Sequence, residues 1–520
     1  MPARSRPLLL LVLCGTIFLE GADVAMMAIA LPALRADLGL PTDTAAWVMS
    51  AYVLGYAGFT LLGGRAADLL GRRRMFLTWL TVFLAFSGLG GFAQDGWTLI
   101  AARFVTGVAA AFMTPAALSL ITTSYEEGPA RDKALLIFAG TAAAGFSLGL
   151  VTGGLLTQLG WRWVFFAPVL CAAVLLAGAV RLIPAASPTR RHTRELDLPG
   201  ALLAAATMLT AAYTVVRLEH GTGNWRVTAV SGLTAVVLAL VFVTVERRTR
   251  HPLVRLGILR EGEVLTSGLG ALLFVGAFFG FQFVITLYLQ ELRGWSSLQT
   301  ALALVVMGCD AILAPTLTPW LVARFGNARV IVGGFVCATA AYGTFLPLGR
   351  DWSYAVMLPA LFLAGLGFAL AYGPLTIAAT DGVHPREQGL ASGLLHTSTQ
   401  FGSALGISAV TAVYGLATGG IGSASPSGTT PEGLGTASGA TALTSEAPAT
   451  APGVPVLTPE ATLSGFRAAL TVPVAMAVLG TLISLLALRA VRHASPVRRT
   501  RASHTSPKPA HRSGGISSPK

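Results

Sequence analysis

The sequence predicts an all-α protein that crosses a lipid bilayer many times. Three observations lead there. Of its 520 residues, 54% are hydrophobic and 11% charged, with a mean hydropathy of +0.69; a soluble domain carries about 25% charged residues. Apolar runs recur along the whole chain, each near the ~20 residues that a helix needs to cross a hydrocarbon core of roughly 30 Å. The short alternating strands of a membrane β-barrel dominate no region.

Taken in order, the runs place helices at 8–32, 45–64, 75–94, 99–123, 134–157 and 163–183, then at 199–217 and 226–246, then at 264–289, 298–322, 329–348, 353–378, 389–416 and 466–488. The first follows the basic start "MPARSRP" and imitates a secretory signal. Its run continues through "LEGADVAMMAIALPAL", longer than a signal core, and "LVLCG" lacks the small residue that a lipoprotein cleavage site wants. An uncleaved first span is therefore expected. The seventh and eighth runs are flanked by the basic connections "AASPTRRHTRELDLPG" (185–200) and "RRTRHPLVRLGILREGE" (247–263). Before the last run, 417–464 is rich in Gly, Ser, Thr, Ala and Pro and has no Lys or Arg. That composition predicts a disordered loop outside the cell. The basic polar tail 493–520 is also expected to be disordered, and cytoplasmic. The expected organisation is a six-helix bundle over 1–184, two inserted helices over 185–263, and a second six-helix bundle over 264–492.

Lys and Arg number 36 against 23 Asp and Glu, a net charge of +13. A basic excess can mean nucleic acid, but here the arginines sit mainly in connections. One set of loops holds only Arg35, Arg162, Arg217, Arg226, Arg293, Arg350 and Arg467; nearly all the rest lie on the other side with both termini. Positive residues mark the cytoplasmic face, so both termini are expected there, in a multi-pass protein of the cell membrane with the lipid bilayer, not nucleic acid, as its partner. Cys14, Cys171, Cys309 and Cys337 fall inside apolar runs without metal-ligand spacing and read as packing residues. No HExxH or Cys/His cluster occurs, so neither metal nor other cofactor is expected. No G-x-x-x-x-G-K-[ST] occurs either, so ATP bound through a P-loop is not the energy source. "GFSLG" fits the serine elbow of hydrolases, but that elbow needs a strand–turn–helix setting and Ser147 lies in an apolar run. An enzyme is not expected.

The connection "GGRAADLLGRRR" (63–74) is unusual for so apolar a chain. Gly64 permits close helix approach, and Gly71 can take the left-handed conformation that separates two helices. Asp68 can pair with Arg72, Arg73 or Arg74, or sit at a neighbouring helix N-terminus. A simple positive-inside anchor needs the arginines but not this spacing.

The spacing Gly64-x-x-x-Asp68-x-x-Gly71-Arg72-Arg73-Arg74 resembles motif A of the major facilitator superfamily, and further motifs resemble its fourteen-span drug:proton antiporter branch. "ADVAMMAIALP" places Asp23 where that branch has its aspartate, and "AAWVMSAYVL" is similar to its second-span signature. "RFVTGVAAA" resembles motif B, with Arg103 and Gly107 in place. "GFSLGLVTGG" resembles motif C, the antiporter motif: Gly145, Gly149, Gly153 and Gly154 match, and Leu150 stands where Pro is usual. "WRWVFF", "HPLVRLGIL", "YLQELRGWS" and "GLASGLLHTSTQFGSALG" match later signatures, the last with His396 where Asn is common. "ARFGNAR" (323–329) is a weaker basic echo of motif A. The resemblance runs from about residue 10 to 490 and implies the major facilitator fold.

Glu20 and Asp23 are three apart, hence on one helical face. Two carboxylates that close repel when both are ionised, which favours one of them holding a proton. They are candidates for proton coupling; the alternative is a structural pair bonded to neighbouring helices. Arg103 can neutralise such a carboxylate, and the resemblance makes it the motif B arginine implicated in proton transfer; the alternative is static helix pairing. Asp310, Gln282 and Tyr52 are candidates for a substrate cavity, with a packed polar bond an equal reading for Asp310. The glycines of motif C form a ridge for close helix contact. The function expected is proton-driven export of hydrophobic, cationic drugs or antibiotics by alternating access. The rivals are a dedicated exporter of one endogenous metabolite and a non-transporting membrane sensor or scaffold.

Overall fold

The computed structural model describes residues 5–184, 197–219, 225–249, 254–255, 257–258, 264–418 and 458–494. The low-complexity stretch over 419–457, the tail from 495 and most of both long basic connections lie outside the described residues, so the disorder expected of the loop and tail is expected of residues not described.

All regular structure among the described residues is helical. α1 (Ser5–Leu38), α2 (Thr42–Leu70), α3 (Arg72–Gly91), α4 (Gly96–Ser124), α5 (Pro129–Leu159) and α6 (Trp163–Leu182) follow one another through short turns. α7 (Leu198–Glu219) and α8 (Trp225–Arg248) come next. α9 (Val264–Leu287), α10 (Ser297–Leu304), α11 (Asp310–Phe325), α12 (Asn327–Thr344), α13 (Tyr354–Thr380), α14 (Gln388–Ala417) and α15 (Pro459–Ala494) complete the chain. Among the described residues, twelve helical spans are long and apolar enough to cross a membrane, α10 and α11 counting as one; α2 and α12 fill the remaining places in the series of fourteen.

Local chemistry sets the boundaries. Asp95 caps α4, its carboxylate accepting the Thr98 N–H at 2.9 Å. Ser296 and Gln299 form a reciprocal capping box at the start of α10. Gly71, between α2 and α3, has φ +96°, and Gly326, between α11 and α12, has φ +84°. A Cβ added at either meets nothing within 4 Å, so it is the backbone conformation that requires glycine there.

Several helix ends reach beyond the sequence reading, α1 to Leu38 and α2 to Leu70 among them, and two further differences change the architecture. α15 starts at Pro459, so the end of the stretch expected to be a disordered loop is helix, and it runs to Ala494, into the expected tail. The tenth span, expected as one helix over 298–322, is broken: a 3-10 turn over Val305–Cys309 separates α10 from α11. Apolar periodicity cannot report such a break, because the hydrophobic run continues through it. The break sits where other backbones press close. A Cβ at Gly365 of α13 would collide with the Met307 carbonyl, and one at Gly308 would lie 2.5 Å from the Ser147 hydroxyl of α5.

α1–α6 pack on one another, as do α9–α15. The two groups meet along two seams, α2 and α4 against α14, and α5 against α10, α11 and α13. α7 packs on both α2 and α14: Trp47 stacks on Tyr213 with centroids 6.2 Å apart, and the Ser408 hydroxyl donates to the Val215 carbonyl at 3.4 Å. α8 is peripheral and leaves Val230, Leu233, Val237 and Leu240 exposed, the surface a lipid-facing helix presents.

Candidate functional site

The site is built around α4, the most enclosed span. α1 runs beside it and carries Glu20 and Asp23. The Arg103 guanidinium donates to Asp23 Oδ2 at 2.5 Å, and both side chains are 2% exposed. The same guanidinium lies 4.4 Å above the ring of Tyr52, from α2, a cation–π contact. Glu20 is bound separately: its Oε2 accepts the Thr114 hydroxyl at 2.5 Å, and the Tyr56 hydroxyl also approaches it. One helical face therefore presents two carboxylates with different partners. Asp23 is sealed in an ion pair; Glu20 is held by hydroxyls and keeps partial exposure. A buried ion pair that loses one charge leaves the other uncompensated, at about 3–5 kcal/mol. A proton on Asp23 would thus release Arg103 and change how α1 and α4 hold each other.

Across from Glu20 stands the other helix group. Tyr372 of α13 lies within electrostatic reach of Glu20 and is also partly exposed. It belongs to an aromatic run: Phe368 is 5.1 Å from Tyr372, Phe278 is 4.6 Å from Phe368, and Phe279 meets Phe146 of α5 edge-on at 5.8 Å. An acid facing aromatic rings can receive a flat apolar cation. Of the three residues expected to line a substrate cavity, Gln282 keeps partial exposure with an unpartnered Oε1. Tyr52 is 2% exposed beneath Arg103 and does not face open space. Asp310 is 1% exposed, at the α5 seam, apart from the Glu20 group.

At one end of the molecule, the 63–74 connection ties the two groups together. Asp68 Oδ1 accepts the Gly389 N–H at 3.0 Å and Oδ2 accepts the Leu390 N–H at 2.9 Å, at the N-terminus of α14. Arg72 bonds Asp68 at 3.1 Å and donates to the Pro385 carbonyl. Arg73 donates to the Val180 carbonyl of α6 at 3.2 Å, and Arg74 is exposed. A Cβ at Gly64 would collide with the Gly389 carbonyl, and one at Gly389 with that of Gly64, so the backbones of α2 and α14 are nearly in contact.

The ridge of α5 plays another part. Gly145, Gly149 and Gly153 pack against the backbone of α1 at Phe18, Ala22 and Met26, within one helix group; only Gly154 faces across, toward Leu298. The first three glycines hold α5 against α1, the helix that carries Glu20 and Asp23, and do not lie at the seam between the two groups.

Arg131 is a residue that the motifs did not single out. Its side chain, 2% exposed, donates to the Thr380 carbonyl at 2.9 Å, pairs with Glu127 at 3.0 Å and stands 3.9 Å from Asp381. Arg255, after the inserted helices, pairs with Glu387 at 3.1 Å. The Gly389-x-x-x-Gly393 spacing could have flagged α14 as a close-contact helix; nothing local distinguishes Arg131 from other loop arginines. Among the described residues no three His, Cys, Asp or Glu side chains converge as a metal site would.

The major facilitator superfamily matches residues 13–407. The chain is 35% identical over 413 residues to the puromycin resistance protein pur8 of Streptomyces alboniger, covering 78% of this chain and 81% of that protein. It is 36% identical over 433 residues to the cephamycin export protein CmcT of Amycolatopsis lactamdurans, covering 79% and 85%. With the lincomycin resistance protein of Streptomyces lincolnensis it shares 34% identity over 407 residues, covering 78% and 84%. The crystal structure of the human organic anion transporter MFSD10 (TETRAN) superposes with a TM-score of 0.62 at 15% identity, covering 93% of this chain and all of that one, a likeness of fold. A helical multi-pass fold, a motif A turn docked on α14 and these matches agree: the chain belongs to the major facilitator superfamily.

Proposed function

We propose that the protein exports hydrophobic compounds, cationic ones among them, in exchange for protons. The observation that carries this reading is the sealed Asp23–Arg103 pair one helical turn from the partly exposed Glu20. Asp23 takes the proton. Glu20, with Tyr372 and the phenylalanines opposite, receives the substrate. Protonation of Asp23 breaks its pairing with Arg103 and shifts the balance between two arrangements of the helix groups, while the substrate favours one of them. Ligands that favour different states weaken each other's binding, which couples the two flows.

The arginine-rich connections mark the end bearing Asp68 as cytoplasmic, with both chain termini on that side. Alternating access follows when Asp68 and Arg131 release the other helix group.

The test is drug efflux with simultaneous proton flux in proteoliposomes under an imposed pH gradient. Asp23→Asn is expected to abolish pH-driven export, and Glu20→Gln to weaken cationic substrates more than neutral ones. Parent-like proton-for-drug exchange by the double variant would sink the assignment. A second reading, export of a single compound, is favoured by relatives whose names each specify one antibiotic. A susceptibility panel in an efflux-deficient host separates the two: one protected compound supports the second, several unrelated ones the first.

A further inference from the structure

His396 is a buried titratable side chain with no part in the reading above. It stands in α14, ~12 Å along the axis from the start of that helix at Gln388. It is 3% exposed, and among the described residues its Nε2 has no hydrogen-bond partner.

The packing places it in the seam of α2 and α14. The two helices run antiparallel there: Gly64 meets Gly389, and a Cβ at Gly393 would stand 3.1 Å from the Thr60 carbonyl. That register puts His396 level with Ala57 and Tyr56 of α2. Its spacing from Gly389 and Gly393 puts it on the helical face that carries both. Asp68 fastens the same seam at its end, on the amides of Gly389 and Leu390. Parting α2 from α14 at that end brings water to the imidazole, and closing them takes it away.

Among the described residues, the elements packed on α14 bring no counter-charge to this depth. On α2, Arg65 and Asp68 lie ~12 Å or more along the axis from Ala57, and Asp43 is at the other end. Tyr52 and Tyr56 of α2 and Tyr372 of α13 are neutral phenols, and Tyr354 is at the far end of α13. Tyr56 is turned toward Glu20, which Thr114 also holds. α4 has Arg103, already paired with Asp23. α7 has Tyr213, Arg217 and Glu219, around Val215, which meets Ser408 ~18 Å along α14 from His396. α9 has no titratable residue. α15 has Glu460 and Arg467 toward its start and Arg489, Arg492 and His493 toward its end. Tyr414, on α14 itself, is ~27 Å further on. An imidazolium sealed into the seam is a buried charge without compensation, which weighs heavily against closure.

We propose that His396 is an inhibitory proton site read from the cytoplasm: it accepts its proton only while the α2–α14 seam is open, and the seam stays open until that proton leaves. This rests on the exporter reading above, with the Asp68 end cytoplasmic. In the open arrangement the unprotonated ring nitrogen takes a proton from hydronium. The seam closes after the proton has returned to water. Acid in the cytoplasm therefore slows export by holding the protein open on that side, apart from any change in the driving gradient. An imidazole in water is half charged near ~pH 6.5, so the site responds around that value.

Inverted membrane vesicles, which turn the cytoplasmic face to the bath, supply the test. Ethidium uptake is measured with the bath one pH unit above and one below that midpoint, the pH difference across the membrane being held the same. On acidification the parent rate is expected to fall about 10-fold relative to His396→Asn. That variant carries the side chain common at this place in the branch that the sequence resembles, and it does not titrate. Parallel pH profiles for the two proteins overturn the inference. A parent that moves no ethidium at either pH overturns the reading of cation export instead. A second measurement uses the purified parent alone and needs neither transport nor a variant. Diethyl pyrocarbonate attacks neutral imidazole, and mass spectrometry compares labelling of His396 with that of His384, exposed in the turn before α14. Acid lowers the neutral share of both, but it also favours the open seam. The ratio of His396 to His384 labelling is therefore expected to rise, by up to about 10-fold over the same pH interval. A ratio that stays constant or falls overturns the inference.

Discussion

The turns around Gly71 and Gly326 share a backbone and differ in chemistry. Each glycine has a left-handed φ, +96° and +84°, with ψ 123° and 151°, and each joins two spans at corresponding places in the two helix groups. Three residues before Gly71 stands Asp68, whose two oxygens hold the amides of Gly389 and Leu390 across the seam. Three residues before Gly326 stands Ala323, which has nothing to offer an amide. After Gly326, Asn327 bonds the Pro374 carbonyl at 2.9 Å, inside its own group. The repeat has kept the geometry that turns the chain and kept the latch on one side only. At the second seam the polar tie comes from the α5 side, where Arg131 reaches the Thr380 carbonyl. A helix-terminal carboxylate with two amide bonds and a guanidinium on a neutral carbonyl are unequal fasteners, and cutting the first is expected to cost more than cutting the second.

The largest effect should come from a wedge in the first seam. Gly389→Val places a side chain into the Gly64 backbone, which cannot move aside as a flexible side chain would. Overpacking costs about 1–3 kcal/mol, all of it borne by the closed arrangement, so efflux should fall by about 5-fold to 100-fold. Cysteine accessibility along α2 reads the cause, rising if the seam is forced open. Low accessibility with normal efflux would show that the near-contact of α2 and α14 is dispensable.

Asp68→Asn ranks next. It keeps the shape and removes the charge from two amide bonds and from Arg72. Charged hydrogen bonds contribute about 1.5–3 kcal/mol, so the closed population should drop about 10-fold, with membrane insertion retained. Efflux assays and the same accessibility measurement check it; parent-like values in both would remove Asp68 from the latch. Arg131→Gln should be milder, a loss of about threefold to tenfold, because its hydrogen bond across the seam is to a neutral carbonyl that an amide side chain can still reach, and the Asp381 carboxylate, half exposed and 3.9 Å away, is a weak partner. Equal losses in Asp68→Asn and Arg131→Gln would make the seams symmetric in energy, contrary to the chemistry of their ties.

How much of this was readable from the chain depends on the range of each signal. The helices were legible because lipid demands long apolar runs. The turn at Gly71 was legible because its arginines and glycines lie within one short connection. Arg103 was legible as a buried charge able to neutralise a span-one carboxylate, but not which of Glu20 and Asp23 it would hold; Thr114, 94 residues from Glu20, was not legible at all. The break at Val305–Cys309 was hidden because its residues are as apolar as the helices beside them. The ridge at Gly145, Gly149 and Gly153 was visible as a contact surface, but spacing alone cannot say that the surface meets α1 and not the opposite group. Arg131 was hidden for a related reason: its role is defined by a carbonyl 249 residues away, and carbonyls carry no sequence signal.

The smallest effect tests the comparison from the quiet side. Asn327 is in the second turn, and its side-chain amide bonds the Pro374 carbonyl of α13, so both partners move with the same group. Asn327→Ala deletes that bond, about 0.5–1.5 kcal/mol, and regains part of it because Ala has the higher helix propensity. Thermal stability should fall by only a few degrees. Efflux should stay within about twofold, because no tie across a seam is cut and the opening equilibrium has no reason to move. The measurement is paired: melting of the purified variant, and efflux in vesicles at matched protein content. If efflux collapses while melting is unchanged, the second turn takes part in opening after all. The one-sided latch would then have to be replaced by a pair, with Asn327 acting through α13 as Asp68 acts through α14.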